Sequence, residues 1–194
     1  MTRLYESAAE SGPLEREALA PLWHVEPDRA FFAGPLGHNA PHRHATPVLL
    51  SGLYGPVRLK LGAGDWRLTQ GAIIPAGLTY EFDMAGDPLA VLYLEPDLAG
   101  HDALRPLLDE ATEEDGALLG RPSCNPLLRE LFEAPGSQGW TTLALADLIA
   151  YGQARARSAK AGRDVDPRIA KLVRRLASEL TDQIPAEELA AEIG

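Results

Sequence analysis

The chain has 194 residues, of which 45% are hydrophobic and 24% charged, and 18 basic residues against 28 acidic ones leave a formal net charge of −10. These proportions suit one medium globular domain, or one domain plus a fragment, and the acidic balance argues against a general polyanion binder. The apolar runs are too short for a membrane-spanning helix, and the lone Cys124 excludes an internal disulfide framework or a Cys-rich zinc ribbon. Met1–Glu10 lacks the apolar region of a signal peptide, so a cytoplasmic protein without a membrane partner is expected.

From about Leu22 to Glu95 the sequence consists of short runs, often β-branched or aromatic, separated by Gly, Pro and Asp. This spacing predicts strands at Leu22–Val25, Arg29–Ala33, Val48–Leu53, Val57–Leu61, Trp66–Thr69, Ala72–Ile74, Tyr80–Asp83 and Leu89–Leu94. Val57-Arg58-Leu59-Lys60-Leu61 alternates most cleanly, with its apolar residues on one face and its charges on the other. Many short strands joined by tight Gly-rich turns, without helical crossovers, point to an antiparallel barrel or double-sheet sandwich.

After Asp97 the periodicity becomes helical. Leu104, Leu107 and Leu108 share a face in Asp102–Asp109, Pro126–Phe132 forms a second helix, and Thr141–Gln153 a third that buries Leu145, Leu148 and Ile149. The acids Glu113-Glu114-Asp115 read as a solvated loop, and His101 as the start of a helix. Ala154–Asp166 is small, charged and unpatterned, like an exposed connector. Asp166-Pro167 then caps a helix with an apolar stripe of Ile169, Leu172, Val173 and Leu176, and Ile184–Gly194 begins another that stops at glycine. The chain is therefore expected to stop inside a motif.

Asp166–Leu176, followed by Ile184-Pro185-Ala186-Glu187-Glu188-Leu189-Ala190-Ala191-Glu192-Ile193-Gly194, resembles the opening of the DNA-binding domain of AraC-type transcription regulators. In that family the second segment is the leading helix of a helix-turn-helix, with Leu189, Ala190 and Ile193 at core-facing positions. The base-reading recognition helix would follow Gly194, so the DNA-contacting residues are unknown and this chain alone is not expected to bind an operator specifically. The basic stretch Arg155–Arg175 suits approach to phosphates, but reads equally well as a solvated linker and helix face.

The histidines gather at Gly37-His38-Asn39-Ala40-Pro41-His42-Arg43-His44. If Arg43 lies in a strand, His42 and His44 share a face and could chelate one metal. His-x-His followed by Pro75-Ala76-Gly77-Leu78-Thr79-Tyr80 resembles the two cupin motifs, with Tyr80 in the second histidine place and Val48 or Leu49 in the glutamate place. Two of four family ligands are thus missing; a divalent metal would have to use His38, His42, His44 and Glu81. The AraC-type resemblance implies a barrel without a cofactor that binds a small organic effector, and His42, His44, Trp66, Tyr80 and Phe82 are the candidate contacts. Trp23 and Tyr93 are further aromatic candidates, whereas His24 reads as a strand residue with a satisfied hydrogen bond.

Neither Ser51, Ser123 nor Cys124 sits in a nucleophile motif, and Gly62-Ala63-Gly64-Asp65 leads into a strand and not into a phosphate-binding helix. A non-enzymatic chain is expected. The resulting layout is an all-β cupin-like barrel of the double-stranded β-helix (jelly-roll) type followed by α-helices. In it, 1–97 would be the effector-binding barrel, 98–154 a helical dimerisation segment packed on it, 155–166 a linker and 167–194 the start of the helix-turn-helix. The function this implies is the sensing and homodimerising part of an AraC-type regulator, which meets DNA through the full-length protein. The alternative is a stand-alone cupin metalloenzyme, an oxygenase or isomerase, using His42 and His44 as ligands.

Overall fold

In the computed structural model, residues 19–95 and 103–158 are described. The tail motifs from Asp166 to Gly194 that carry the regulator resemblance, and His101 with the proposed cap Asp102, lie outside them. Eleven strands and two helices follow one another among the described residues: β1 (Leu22–Glu26), β2 (Arg29–Pro35), β3 (His38–His42), β4 (Val48–Gly52), β5 (Val57–Leu61), β6 (Arg67–Thr69), β7 (Gly71–Ile74), β8 (Tyr80–Asp83), β9 (Pro88–Leu94), β10 (Leu108–Glu114), β11 (Ala117–Pro122), α1 (Asn125–Glu133) and α2 (Gln138–Ser158).

The strands form a seven-stranded sheet, ordered β1-β2-β9-β4-β7-β11-β10, and a four-stranded sheet, ordered β3-β8-β5-β6. Every pairing is antiparallel. Taken from β2 to β9, the central strands fall into two quartets, β2-β9-β4-β7 and β3-β8-β5-β6. This is the strand order of a jelly roll, or double-stranded β-helix. The expected β-then-α fold is therefore present, extended by β1 on one side of the large sheet and by β10 and β11 on the other.

Period-two alternation gives the large sheet two buried faces. Val48 and Leu50 of β4, Leu89 and Val91 of β9, and Ala72 and Ile74 of β7 point between the sheets, where they meet Val57, Leu59 and Leu61 of β5 and Tyr80 and Phe82 of β8. The intervening Leu49, Ala90, Leu92 and Ile73 face the opposite way, into a second core with Leu128, Leu131 and Phe132 of α1 and Leu145, Leu148 and Ile149 of α2. A sheet covered on both faces needs continuous apolar strands, which accounts for Val48-Leu49-Leu50 and Leu89-Ala90-Val91-Leu92. The predicted helices that became α1 and α2 thus both rest on the large sheet. Asn125 Nδ2 helps to dock α1 by donating to Ser51 Oγ (3.1 Å) and to the Gly52 carbonyl (2.8 Å).

Four expectations are corrected. Asp102–Asp109 is not one helix: Arg105–Leu107 is a 3-10 turn around Pro106, and the chain is extended from Leu108 onward. Proline lacks the N–H that a continuing helix requires, yet Leu104, Leu107 and Leu108 all remain buried as their spacing implied. Residues 108–122 form the β10–β11 hairpin, so the stretch following the barrel is not wholly helical. Within that hairpin Glu114 and Asp115 are not free solvating acids, since Arg67 donates to both at 2.5 Å. Finally, α2 runs on to Ser158, past the expected end at Gln153.

Candidate functional site

β3 escaped prediction because His38-Asn39-Ala40-Pro41-His42 shows neither alternation nor burial: four of its five residues are exposed. It is the edge strand of the small sheet and pairs only with β8, with a register shift between Asn39 and His42. An edge position beside a bulge is where Pro41, having no N–H to give, is tolerated. Arg43 lies outside the strand, so the condition set for a shared His42–His44 face is not met by strand geometry. The irregular backbone nevertheless brings the rings together, at a centroid distance of 4.9 Å.

Around this pair the inward-facing aromatics converge. His42 lies 4.3 Å from Tyr80 and 6.3 Å from Phe82, while His44 lies 5.0 Å from Tyr93 and 6.0 Å from Tyr80. Four expected effector contacts, His42, His44, Tyr80 and Phe82, are therefore assembled, with Tyr93 of β9 joining them. Trp66 is not with them. It sits on the outer face of the small sheet, under Arg58 at 4.5 Å and Lys60 at 5.9 Å. Trp23, on β1, is largely exposed and leans on Phe32 at 4.5 Å.

The cluster's electrostatics follow from burial. His42 Nδ1 lies 2.8 Å from the Ala40 carbonyl, which can only accept, so Nδ1 donates the hydrogen bond. His44 Nε2 is enclosed and has no hydrogen-bond partner. Burial, followed by the neighbouring His42, holds the His44 pKa below the ordinary imidazole value of 6.5. Burial also pushes both phenols up, with Tyr93 adding to the effect at Tyr80. Elsewhere, Cys124 is buried at the start of α1 and its thiol is pushed up to about 12, which keeps it protonated and inert.

A pH dependence follows, with a definite sign. His44 resists protonation in the folded protein, so the unfolded chain takes up that proton first as pH falls. This destabilisation is absent above the ordinary imidazole range, sets in as pH drops through about 6.5, and is complete below the depressed folded pKa. His44→Phe is expected to flatten the decline of melting temperature between about pH 7 and pH 5. Parallel melting profiles for wild type and variant would refute this.

The proposed metal set does not come together. β8 alternates Tyr80 and Phe82 inward with Glu81 and Asp83 outward. Glu81 accordingly lies on the outer face, 3.1 Å from His38 Nε2 and 3.6 Å from Lys60 Nζ. His38 and Glu81 are thus on one side of the small sheet and His42 and His44 on the other. No group of three or more His, Cys, Asp or Glu side chains placed to hold a metal occurs among the described residues. Two imidazoles fall short of the three or more protein ligands that a divalent ion needs, so the residues present do not fit the metal centre that the cupin motifs imply. His24 is as expected: nearly buried in β1, it meets Glu26 at 2.7 Å and Thr142 of α2 at 3.3 Å.

No helix among the described residues is long and apolar enough to cross a membrane. No protein-family model matches the chain, and no curated protein matches it. Among solved structures it is similar to an RmlC-like cupin family protein with a double-stranded β-helix fold from Methanocaldococcus jannaschii (12% identity, 49% of this chain and 92% of that one, TM-score 0.36). It is also similar to a cupin-2 domain protein from Shewanella frigidimarina (20%, 39% and 78%, TM-score 0.32) and to KdgF from Halomonas sp. (16%, 41% and 82%, TM-score 0.32). These likenesses are distant and span less than half of this chain. The double-stranded β-helix rests on the strand order itself.

Proposed function

We propose that this chain is the ligand-sensing and dimerising part of an AraC-type, DNA-binding transcription regulator, with a small organic effector held at the His42–His44–Tyr80–Tyr93 cluster. The observation that carries the effector reading is the split donor set: two imidazoles and three aromatic rings face inward, while Glu81, the acid of the candidate metal set, points outward. Such a lining suits an organic molecule better than a cation. The tail motif supplies the DNA-binding part of the reading. The solvent-facing Trp140, Leu143 and Tyr151 of α2 support the homodimer, because α1 offers Arg129, Glu130 and Glu133 on its outer side instead. An effector regulates only by binding one arrangement of barrel and helices more tightly than another.

A thermal-shift screen of small organic molecules, run with metal analysis of the purified protein, tests this. A binder at 100 times its Kd adds about 2.7 kcal/mol, which raises the melting temperature by roughly 5–10 °C. That shift should vanish in His42→Ala/His44→Phe and should alter the dimer equilibrium in sedimentation. Stoichiometric iron, zinc or manganese that is lost in the same variant, together with turnover, would establish the metalloenzyme instead.

A further inference from the structure

Three of the four sheet edges are guarded against the addition of another strand. β10 carries Asp109, Glu110, Glu113 and Glu114 and breaks register with β11; β3 contains Pro41 and its own register shift; β6 is only three residues long. β1 has none of these devices. Its five residues pair with β2 without a shift, it contains no proline, and its single acid, Glu26, is engaged by Arg29 of the same hairpin. On its other side no strand follows among the described residues.

The register fixes which groups this free edge presents. Glu26 and Arg29 close a two-residue loop, so they form a hydrogen-bonded pair, and bonded and non-bonded pairs alternate from there along the hairpin. Leu22, His24 and Glu26 therefore turn their N–H and C=O groups toward β2, whereas those of Trp23 and Val25 point outward. The side chains of the same two residues lie opposite Phe32 and Ala30, on the inner side of the large sheet, and are 67% and 73% exposed.

A second copy of the chain fits this edge. About a two-fold axis through His24, Trp23 of each copy exchanges both backbone hydrogen bonds with the partner's Val25, which joins the two large sheets into one. A five-residue strand falls short of the roughly 800 Å² that each partner of a stable complex buries. The helical side extends the contact, because Thr142 of α2 lies 3.3 Å from His24 and thus close to the same axis. Leu143, next to it, is 64% exposed, and Trp140 one turn earlier is 42% exposed. We infer that two copies of this chain join by antiparallel β1–β1 pairing, with their α2 helices meeting on one side of the continuous sheet. This deepens the homodimer of the reading above and rests on that part of it alone, not on the effector or on DNA.

The test combines sedimentation of the full chain over a range of concentrations with amide hydrogen exchange. Wild type should dimerise, and the Trp23 and Val25 amides should gain protection as concentration rises. Val25→Pro removes an N–H that makes no bond within the chain, so amide protection in β9 should persist while the dimer Kd rises roughly thirtyfold, since the two-fold removes two hydrogen bonds per substitution. Val25→Ala keeps the N–H and should change that Kd by no more than about twofold. Trp23→Lys, which places a charge on the edge, should weaken the dimer as well. A dimer that Leu143→Asp breaks but Val25→Pro and Trp23→Lys leave intact would overturn strand pairing and leave a homodimer through α2 standing. Protection of Trp23 and Val25 that does not depend on concentration would also overturn it, and a wild type that sediments as a monomer would overturn both.

Discussion

Gly152→Ala is expected to destabilise the protein even though alanine is the better helix former. In an unconstrained helix the exchange would gain about 1 kcal/mol. Here a Cβ at position 152 would stand 2.1 Å from the Ala103 carbonyl oxygen and 3.3 Å from its carbon. The obstacle is backbone, so no rotamer change relieves it and α2 must move away from the 3-10 turn. Leu145, Leu148 and Ile149 would then lose contact with Leu104 and Leu107, all of them buried. Overpacking of this kind costs about 1–3 kcal/mol, which outweighs the propensity gain. A net loss of about 1 kcal/mol is expected for Gly152→Ala and about 3 kcal/mol for the bulkier Gly152→Val. The valine protein should melt roughly 6–12 °C lower, as read by calorimetry. An alanine variant melting at or above wild type would show that helix propensity governs this position.

Leu49→Ala is the second large effect. Leu49 is fully buried on the central strand β4, in register with Leu92 on β9 and Ile73 on β7, and faces the helices. Its truncation leaves a cavity beneath α1 and α2 and should cost about 2–5 kcal/mol, because a sheet locked by neighbours on both sides cannot collapse into the space. Leu50→Ala should cost a similar amount on the other face, where Leu50 belongs to the core between the sheets. Hydrogen exchange distinguishes the two. The position 49 variant should lose amide protection first in α1 and α2, and the position 50 variant first in β5 and β8. Identical protection losses would contradict two cores separated by one sheet. Val25→Ala, at a residue 73% exposed, serves as the control and should shift stability by no more than about 0.5 kcal/mol.

Much of the barrel was legible because burial writes itself into period-two patterns. Val57–Leu61 and Tyr80–Asp83 have the expected boundaries, and Leu145, Leu148 and Ile149 are buried as their helical spacing required. The β8 pattern also held a usable warning. If Tyr80 and Phe82 face inward, the pleat sends Glu81 outward, which argues against its joining His42 and His44. β3 and β10 were not legible, because an edge or overhanging strand buries almost nothing: His38–His42 is mainly exposed, and in Leu108–Glu114 only Leu108 is buried. Their pairing is fixed by backbone hydrogen bonds to β8 and β11, to which side-chain hydrophobicity is blind.

The amino-acid order alone therefore marked out eight of the eleven strands, the two helices and which aromatic and imidazole side chains are available. Only folding in three dimensions decided which of them meet. Tyr54 reaches Glu133 across 79 positions of chain, and His24 meets Thr142 across 118. The parting of His38 and Glu81 from His42 and His44 likewise depends on which side of the small sheet each side chain leaves. Local periodicity reports solvent exposure one residue at a time, whereas a binding site is a coincidence of distant residues that the packing of whole sheets alone brings about.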